Sequence, residues 1–498
     1  MNKSLDTLML SIFEKAAIFR DRIAVQSNEN DFSYFDLDQK SNIVASHLLE
    51  DKEDLNEERI GLFINPNQNY VIGLWAIWKA GGIAVPLSLS AKGSELEHYI
   101  SDSNIKRIIS SRECKEQMNI PNEIRPTILN IEEINAKWKA AGLPTLNLER
   151  KAMIIYTSGT TNKPKGVITS HENVEAQITA LVEAWQWSKD DKIPLILPLH
   201  HIHGIINSLC CPLFVGATVN MLGGFDIDKV INEISKSNYT VFTAVPTIYF
   251  SLIEKLEGNK QEDVFKGFKN LRLMMSGSAA LAPEIHKKWE ELTGQKILER
   301  YGMTEVGMAL SNPLDGERRP GAVGQPLPNV EIRLENDEGI EIKEEGEAGQ
   351  ILIKGPQVFI EYQNLPIQTK ESFKDDWFLT GDVAIKEDGY FKLLGRESID
   401  IIKSGGYKIS ALEVEDVLLR NNNVKECAVI ARQDKKWGEI VVAAVIAKHE
   451  RISQKDLQEW CSKFLSDYKI PRIIKFLDEL PKNSMGKVTK KELKVFFK

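Results

Sequence analysis

Between Gly61 and Leu87 the chain spells out a complete strand–helix–strand unit, and a unit of that kind commits a polypeptide to layered α/β architecture. An apolar Gly-Leu-Phe-Ile run ends at the turn Asn65-Pro66-Asn67, a helical stretch follows with Val71, Leu74, Trp75 and Trp78 on one face, and Gly81-Gly82 returns the chain to Ile-Ala-Val-Pro-Leu. The alternation recurs at Tyr239 to Val245, at Leu271 to Met275 before a Ser-Gly-Ser turn, and in the helix after Pro283, where Ile285, Trp289 and Leu292 precede Gly294.

Past about residue 320 the texture changes to short alternating segments, Val330 to Leu334 and Gln350 to Ile353, which read as a small β-rich subdomain. After Gly395-Arg396 a third texture begins. Ser410 and Glu413 are spaced as a capping box, apolar strands are expected near Ala428 to Ala431 and Val441 to Ala447, and Leu457, Trp460, Cys461, Phe464 and Leu465 form one helical stripe. The expected organisation is an α/β chain with a large N-terminal domain over 1–395, a hinge over 396–400 and a small α+β domain over 401–498.

A chain of 498 residues with 42% hydrophobic composition buries substantial cores, and its net charge of −8 is spread without a basic stripe, which argues against a nucleic-acid partner and against a polybasic membrane surface. The apolar patch Leu8 to Phe13 is too brief for a secretory signal, so no export is expected. The most apolar region, Ile193 to Leu222, is broken by prolines and histidines and reads as core, not as a membrane span. Five cysteines, Cys114, Cys210, Cys211, Cys427 and Cys461, show neither metal-ligand spacing nor an even count, which fits a reducing cytoplasm.

Chemistry enters at Tyr156-Thr-Ser-Gly-Thr-Thr-Asn-Lys-Pro-Lys-Gly-Val167, directly after the apolar run Met153 to Ile155. Hydroxyls donate to phosphoryl oxygens, Gly159 admits the backbone closely, and lysine supplies positive charge. Lys165 precedes Gly166 and Val167, so this is not the P-loop of Gly-Lys-Ser/Thr type. Four more segments accompany it: Glu299-Arg-Tyr-Gly-Met-Thr-Glu305, Thr380-Gly-Asp382, Gly395-Arg396 through Gly405-Gly406-Tyr407-Lys408, and Pro481-Lys-Asn-Ser-Met-Gly-Lys487.

Together, in this order, the five segments resemble the adenylate-forming superfamily of acyl-CoA synthetases, peptide-synthetase adenylation domains and firefly-type luciferases, over nearly the whole chain from Phe32 to Lys491. The resemblance implies ATP, magnesium and coenzyme A as cofactors and a small carboxylic acid as substrate. A carboxylate is a poor acyl donor, and attack on the α-phosphate of ATP converts it into an acyl adenylate from which a thiol displaces AMP. Residue by residue, the resemblance implies that Thr157, Ser158, Gly159, Thr160, Thr161 and Lys165 embrace the β- and γ-phosphates. Tyr301 would stack on adenine, with Ser276, Gly277, Ser278 and Gly302 also on the nucleotide side. Thr304 would meet the α-phosphate, Glu305 and Thr160 would hold magnesium, and Asp382 and Arg396 would bind the ribose. Lys487 would stabilise the adenylation transition state, and a rotating C-terminal domain would bring Gly405 and Gly406 to the pantetheine.

Leu197-Pro-Leu-His-His-Ile-His-Gly204, Met275-Ser-Gly-Ser-Ala-Ala-Leu281 and Arg319-Pro-Gly-Ala-Val-Gly324 look most like malonyl-CoA synthetases and their close neighbours. His201 and His203 are expected at the acyl pocket, His201 also among the catalytic groups. Malonate needs a cation for its second carboxylate, and Arg318 is a candidate. That branch usually carries Arg or Lys soon after Val-Pro-Thr-x-Tyr, where this chain has Ser251. Malonate or methylmalonate and a short- or medium-chain fatty acid therefore both stay open, and an external carrier protein stands as the alternative thiol to free CoA.

Overall fold

The computed structural model describes residues 11–27, 30–91, 93–118, 120–134, 142–157, 164–236, 238–257, 262–405, 407–448, 452–482 and 488–497. Its chain divides into two compact units, one made of 1–320, 324–331 and 353–378 and the other of 321–323, 332–352 and 379–498.

In the first unit, the Gly61 to Leu87 segment forms the strand Arg59–Phe63, the helix Gln68–Lys79 and the strand Ile83–Pro86, the strands parallel with Gly61 opposite Val85. The helix is not one-sided as its spacing suggests: every residue from Tyr70 to Lys79 is buried. Lys79 tolerates this because its Nζ donates to Asp38 Oδ1 (2.6 Å), Ser41 Oγ (2.9 Å) and Asn42 Oδ1 (2.8 Å) of the helix Tyr34–Leu49, so the buried charge is paired and solvated by protein.

These strands belong to a seven-stranded sheet ordered Glu361–Tyr362, Lys165–Ser170, Lys151–Thr157, Ile83–Pro86, Arg59–Phe63, Arg107–Ser110, Thr127–Asn130. Its parallel half ends at Lys151–Thr157, and from there Lys165–Ser170 and Glu361–Tyr362 continue antiparallel. A second sheet runs Val241–Ala244, Leu273–Ser276, Leu298–Met303, Gly307–Ser311, Gln325–Pro326, parallel across its first three strands. It packs on a core in which Tyr249 and Phe268 meet Trp289 edge-on at 5.0 and 5.1 Å. A four-stranded sheet carries Lys192–Leu195 and Thr218–Met221, and between them the apolar region folds as a π-helix, His203–Cys210, and a short helix, Cys211–Val215. That region is buried, as its composition requires.

In the second unit the strand ending in Glu387 turns back as Tyr390–Arg396, and a further sheet is ordered Tyr407–Ser410, Ile401–Ser404, Gly438–Ala447, Val424–Asp434, with Ile473–Phe476 parallel to Gly438–Ala447. Only half of the expected capping box forms. Ser410 Oγ accepts from Glu413 N (3.2 Å), while the Glu413 carboxylate takes both its contacts from Lys469 Nζ at 2.8 Å. The apolar stripe also ends early: the helix Gln454–Cys461 stops before Phe464, which is 52% exposed and rests on Trp460. All five cysteines are unpaired, and burial pushes the Cys210 thiol up to about 12. Among the described residues no helix is long and apolar enough to cross a membrane.

Candidate active site

Of the hydroxyl-rich loop, the structure describes its two ends. Thr157 closes the strand Lys151–Thr157 and Lys165 opens Lys165–Ser170, the two facing each other in register. Ser158, Gly159, Thr160 and Thr161 lie outside the described residues, as do Gly406 and Lys487. The ends flanking Lys487 are tied together, because Lys482 bridges Val488 and Thr489 N donates to Pro481 O (2.8 Å).

The structure places the motif Glu299 to Glu305 on and just after the central strand of the second sheet. Ser276 sits opposite Glu299, so Ser276-Gly277-Ser278 leaves its strand alongside Arg300 and Tyr301. Tyr301 is 7% exposed and pairs with Leu310 of the adjoining strand, and Gly302, next to it on its own strand, pairs with Met308. Thr304 and Glu305 occupy the turn that joins the two strands, closed by Val306 N to Met303 O (3.1 Å).

Glu305 has a partner that sequence reasoning missed. Tyr362 Oη donates to Glu305 Oε1 at 2.9 Å, and Lys165 Nζ stands over the same tyrosine ring, 5.1 Å from its centroid. Tyr362 therefore joins one lysine of the loop to the carboxylate expected at magnesium. Carboxylate oxygen is the donor chemistry that a hard divalent cation takes, so the residues present fit magnesium.

On the acyl side the two histidines part. His203 is buried at the start of the π-helix, with Nε2 2.7 Å from Thr243 Oγ1 and Nδ1 3.3 Å from Ser278 Oγ. Burial, with the charges of Arg300 and His201 behind it, holds its pKa well below the ordinary value, so it is neutral. His201 is exposed and its ring lies 4.2 Å from that of His200. Ser251 is half-buried on the helix Pro246–Glu257. Arg318 spends Nη1 on Lys296 O (2.6 Å) and Nη2 on Leu314 O (3.1 Å), which fastens its guanidinium to backbone.

A second arginine acts on His203. Arg300 is 3% exposed, desolvation pulls its pKa down to about 9, and its Nε and Nη2 have no hydrogen-bond partner among the described residues. A Cβ on Gly277 would collide with its Nη1, and the nearby Ser276 Oγ is likewise buried and unpartnered. The sequence signal was an arginine inside a strand whose residues from Leu298 to Tyr301 are all buried.

In the second unit Asp382 and Arg396 face each other as a cross-strand pair, and Arg396 Nε donates to Asp382 Oδ1 at 3.1 Å. Asp400 Oδ2 accepts from Arg396 N (3.1 Å), and its Oδ1 meets Lys490 Nζ at 2.7 Å, as does Glu415 Oε1. Gly405 has φ +57°, and a Cβ there would stand 2.9 Å from the Trp437 ring.

Known proteins resemble this chain along nearly its whole length. The family model for the AMP-binding enzyme matches residues 12–363, and that for the AMP-binding enzyme C-terminal domain matches 413–487. The chain is 39% identical to the mitochondrial malonate–CoA ligase ACSF3 of Bos taurus, over 97% of this chain and 89% of that one, and 38% identical to a malonate–CoA ligase of Arabidopsis thaliana, over 99% and 89%. The crystal structure of ATP-bound MatB from Rhodopseudomonas palustris superimposes with a TM-score of 0.87 at 30% identity, covering 98% of this chain and 99% of that one. The chain belongs to the AMP-binding enzyme family and is an acid–thiol ligase, an AMP-forming acyl-CoA synthetase.

Proposed function

We propose that the acid is malonate or methylmalonate, ligated to free CoA. The observation that carries this reading is Arg300, a buried guanidinium whose Nε and Nη2, the two donors along one edge, are unpartnered. An unpaired buried cation costs several kcal/mol, and that edge matches the two oxygens of a carboxylate. A fatty acid offers nothing to pair with it. The cation missing from the helix at Ser251 is thereby replaced by one on the strand Leu298–Met303, and the names of the bovine and Arabidopsis relatives point the same way.

In this reading Thr157, the loop Ser158 to Thr161 and Lys165 hold the β- and γ-phosphates, and Thr304 holds the α-phosphate. Tyr301 stacks on adenine, with Ser276, Gly277, Ser278 and Gly302 beside it, and the Asp382–Arg396 pair takes the ribose hydroxyls. Glu305 and Thr160 hold magnesium, which neutralises the charge that builds on departing pyrophosphate. Lys487 places a point charge where the carboxylate attacks phosphorus, worth more in the transition state than before it. His203, neutral, lines the acyl pocket, and His201 stands at its edge. A pivot within 396–400 then exchanges Lys487 for Gly405 and Gly406 along the CoA path.

Acid-dependent exchange of pyrophosphate into ATP, followed by thioester formation with CoA across mono- and dicarboxylic acids, tests the assignment. Malonate is expected to lead, and Arg300→Gln to raise its KM about a hundredfold. A wild-type preference for a monocarboxylic acid would reject malonate while leaving the ligase intact. The cytoplasm is the compartment we assign, on the unpaired cysteines, and fractionation of expressing cells checks it.

A further inference from the structure

Tyr362 lies in none of the five segments that carry the family resemblance, yet the segment around it is fastened to two parts of the site at once. Tyr362 lies opposite Val167 and Glu361 opposite Ile168 on the strand that leaves the phosphate loop, and Gln363 N donates to Gly166 O at 2.7 Å. On the other side Phe359 N donates to Glu305 O at 2.8 Å. The tyrosine backbone is fixed in turn, since Tyr362 N donates to Thr369 Oγ1 at 2.9 Å.

The side chain repeats the link. Its ring lies beneath Lys165 Nζ and its hydroxyl donates to Glu305 Oε1, with the residue 7% exposed. A phenol that donates to one carboxylate oxygen fixes the carboxylate plane, and outer groups of this kind set the orientation of ligands to metals. A ring face beneath an ammonium steadies that charge.

We infer that Tyr362 is a positioning residue: its hydroxyl orients the Glu305 carboxylate for the divalent cation, and its ring holds Lys165 at the phosphates. The inference rests on the assignment of Glu305 to magnesium. It couples the cation side and the phosphate side through one rigid side chain, so loss of the hydroxyl alone weakens the response to magnesium without removing the lysine.

The test is calorimetric titration of the full-length protein with ATP across a series of Mg2+ concentrations, without acid or CoA, so that binding and not turnover is read. Tyr362→Phe keeps the ring and is expected to raise about tenfold the Mg2+ concentration that gives half the maximal ATP affinity. Tyr362→Leu removes the ring as well and is expected to weaken ATP binding in the absence of Mg2+ about threefold further. Unchanged Mg2+ dependence in Tyr362→Phe, or an equal loss at zero and saturating Mg2+, overturns the inference. Glu305→Gln separates the two levels. If it too leaves the Mg2+ dependence unchanged, the magnesium assignment itself fails; if it abolishes the dependence while Tyr362→Phe does not alter it, only the positioning role falls.

Discussion

The guanidinium of Arg300 occupies the space in which a side chain on Gly277 would begin. Glycine at 277 is therefore a requirement of the arginine's position. Gly277→Ala forces the guanidinium to shift, so the KM for malonate is expected to rise at least tenfold while the protein stays folded, as steady-state kinetics with a melting curve will show.

The Asp382–Arg396 pair predicts a nucleotide effect. Asp382→Asn leaves the hairpin intact but removes the charge that Arg396 Nε meets at 3.1 Å and an acceptor for ribose. The expected result is an ATP KM higher by about tenfold, with the KM for the acid within twofold of wild type. Equal rises in both would assign the pair a structural role.

Lys490 is a stability prediction. Its ammonium, 12% exposed, neutralises Asp400 and Glu415 at 2.7 Å each. Lys490→Met leaves two carboxylates buried together and is expected to cost about 3 kcal/mol in denaturant titration. Because Asp400 also accepts from Arg396 N within the expected pivot, adenylation should fall too.

His171 contributes to the loss of stability in acid. Burial takes its pKa down from 6.5 to about 3, with the Arg150 charge adding to the effect. The folded chain refuses a proton that the unfolded chain accepts, so this contribution to stability is complete above about pH 6.5 and is lost as pH falls towards 3. At pH 5 the loss is about 2 kcal/mol. Unfolding free energies between pH 5 and 7.5 should show the slope, and His171→Gln should reduce it by about 2 kcal/mol over that range, leaving the shares of the buried His200 and His203.

The apolar runs, turn residues and motif spacing were enough to read the α/β layers, the β-rich segment and the small C-terminal sheet, because periodicity and chain reversal are local properties. Local reading failed where packing decides. Gln68–Lys79 reads as one-sided but is surrounded, and the stripe through Phe464 outruns its helix. Within the candidate site, the expected residues were read from type and order alone. The partners did not: Tyr362 meets Glu305 across 57 positions, and Arg300 gains its meaning from Gly277 on the neighbouring strand.

The sequence by itself determined the reaction class, since the segments that carry the family resemblance are set down in a fixed order along the chain. Only the tertiary structure told the two candidate cations apart. Arg318 and Arg300 look alike as letters, yet one has its donors taken by backbone carbonyls and the other keeps an unpaired edge in a buried setting. That difference arises because a charge acquires its energy from what surrounds it, and the surroundings come from strands distant in sequence.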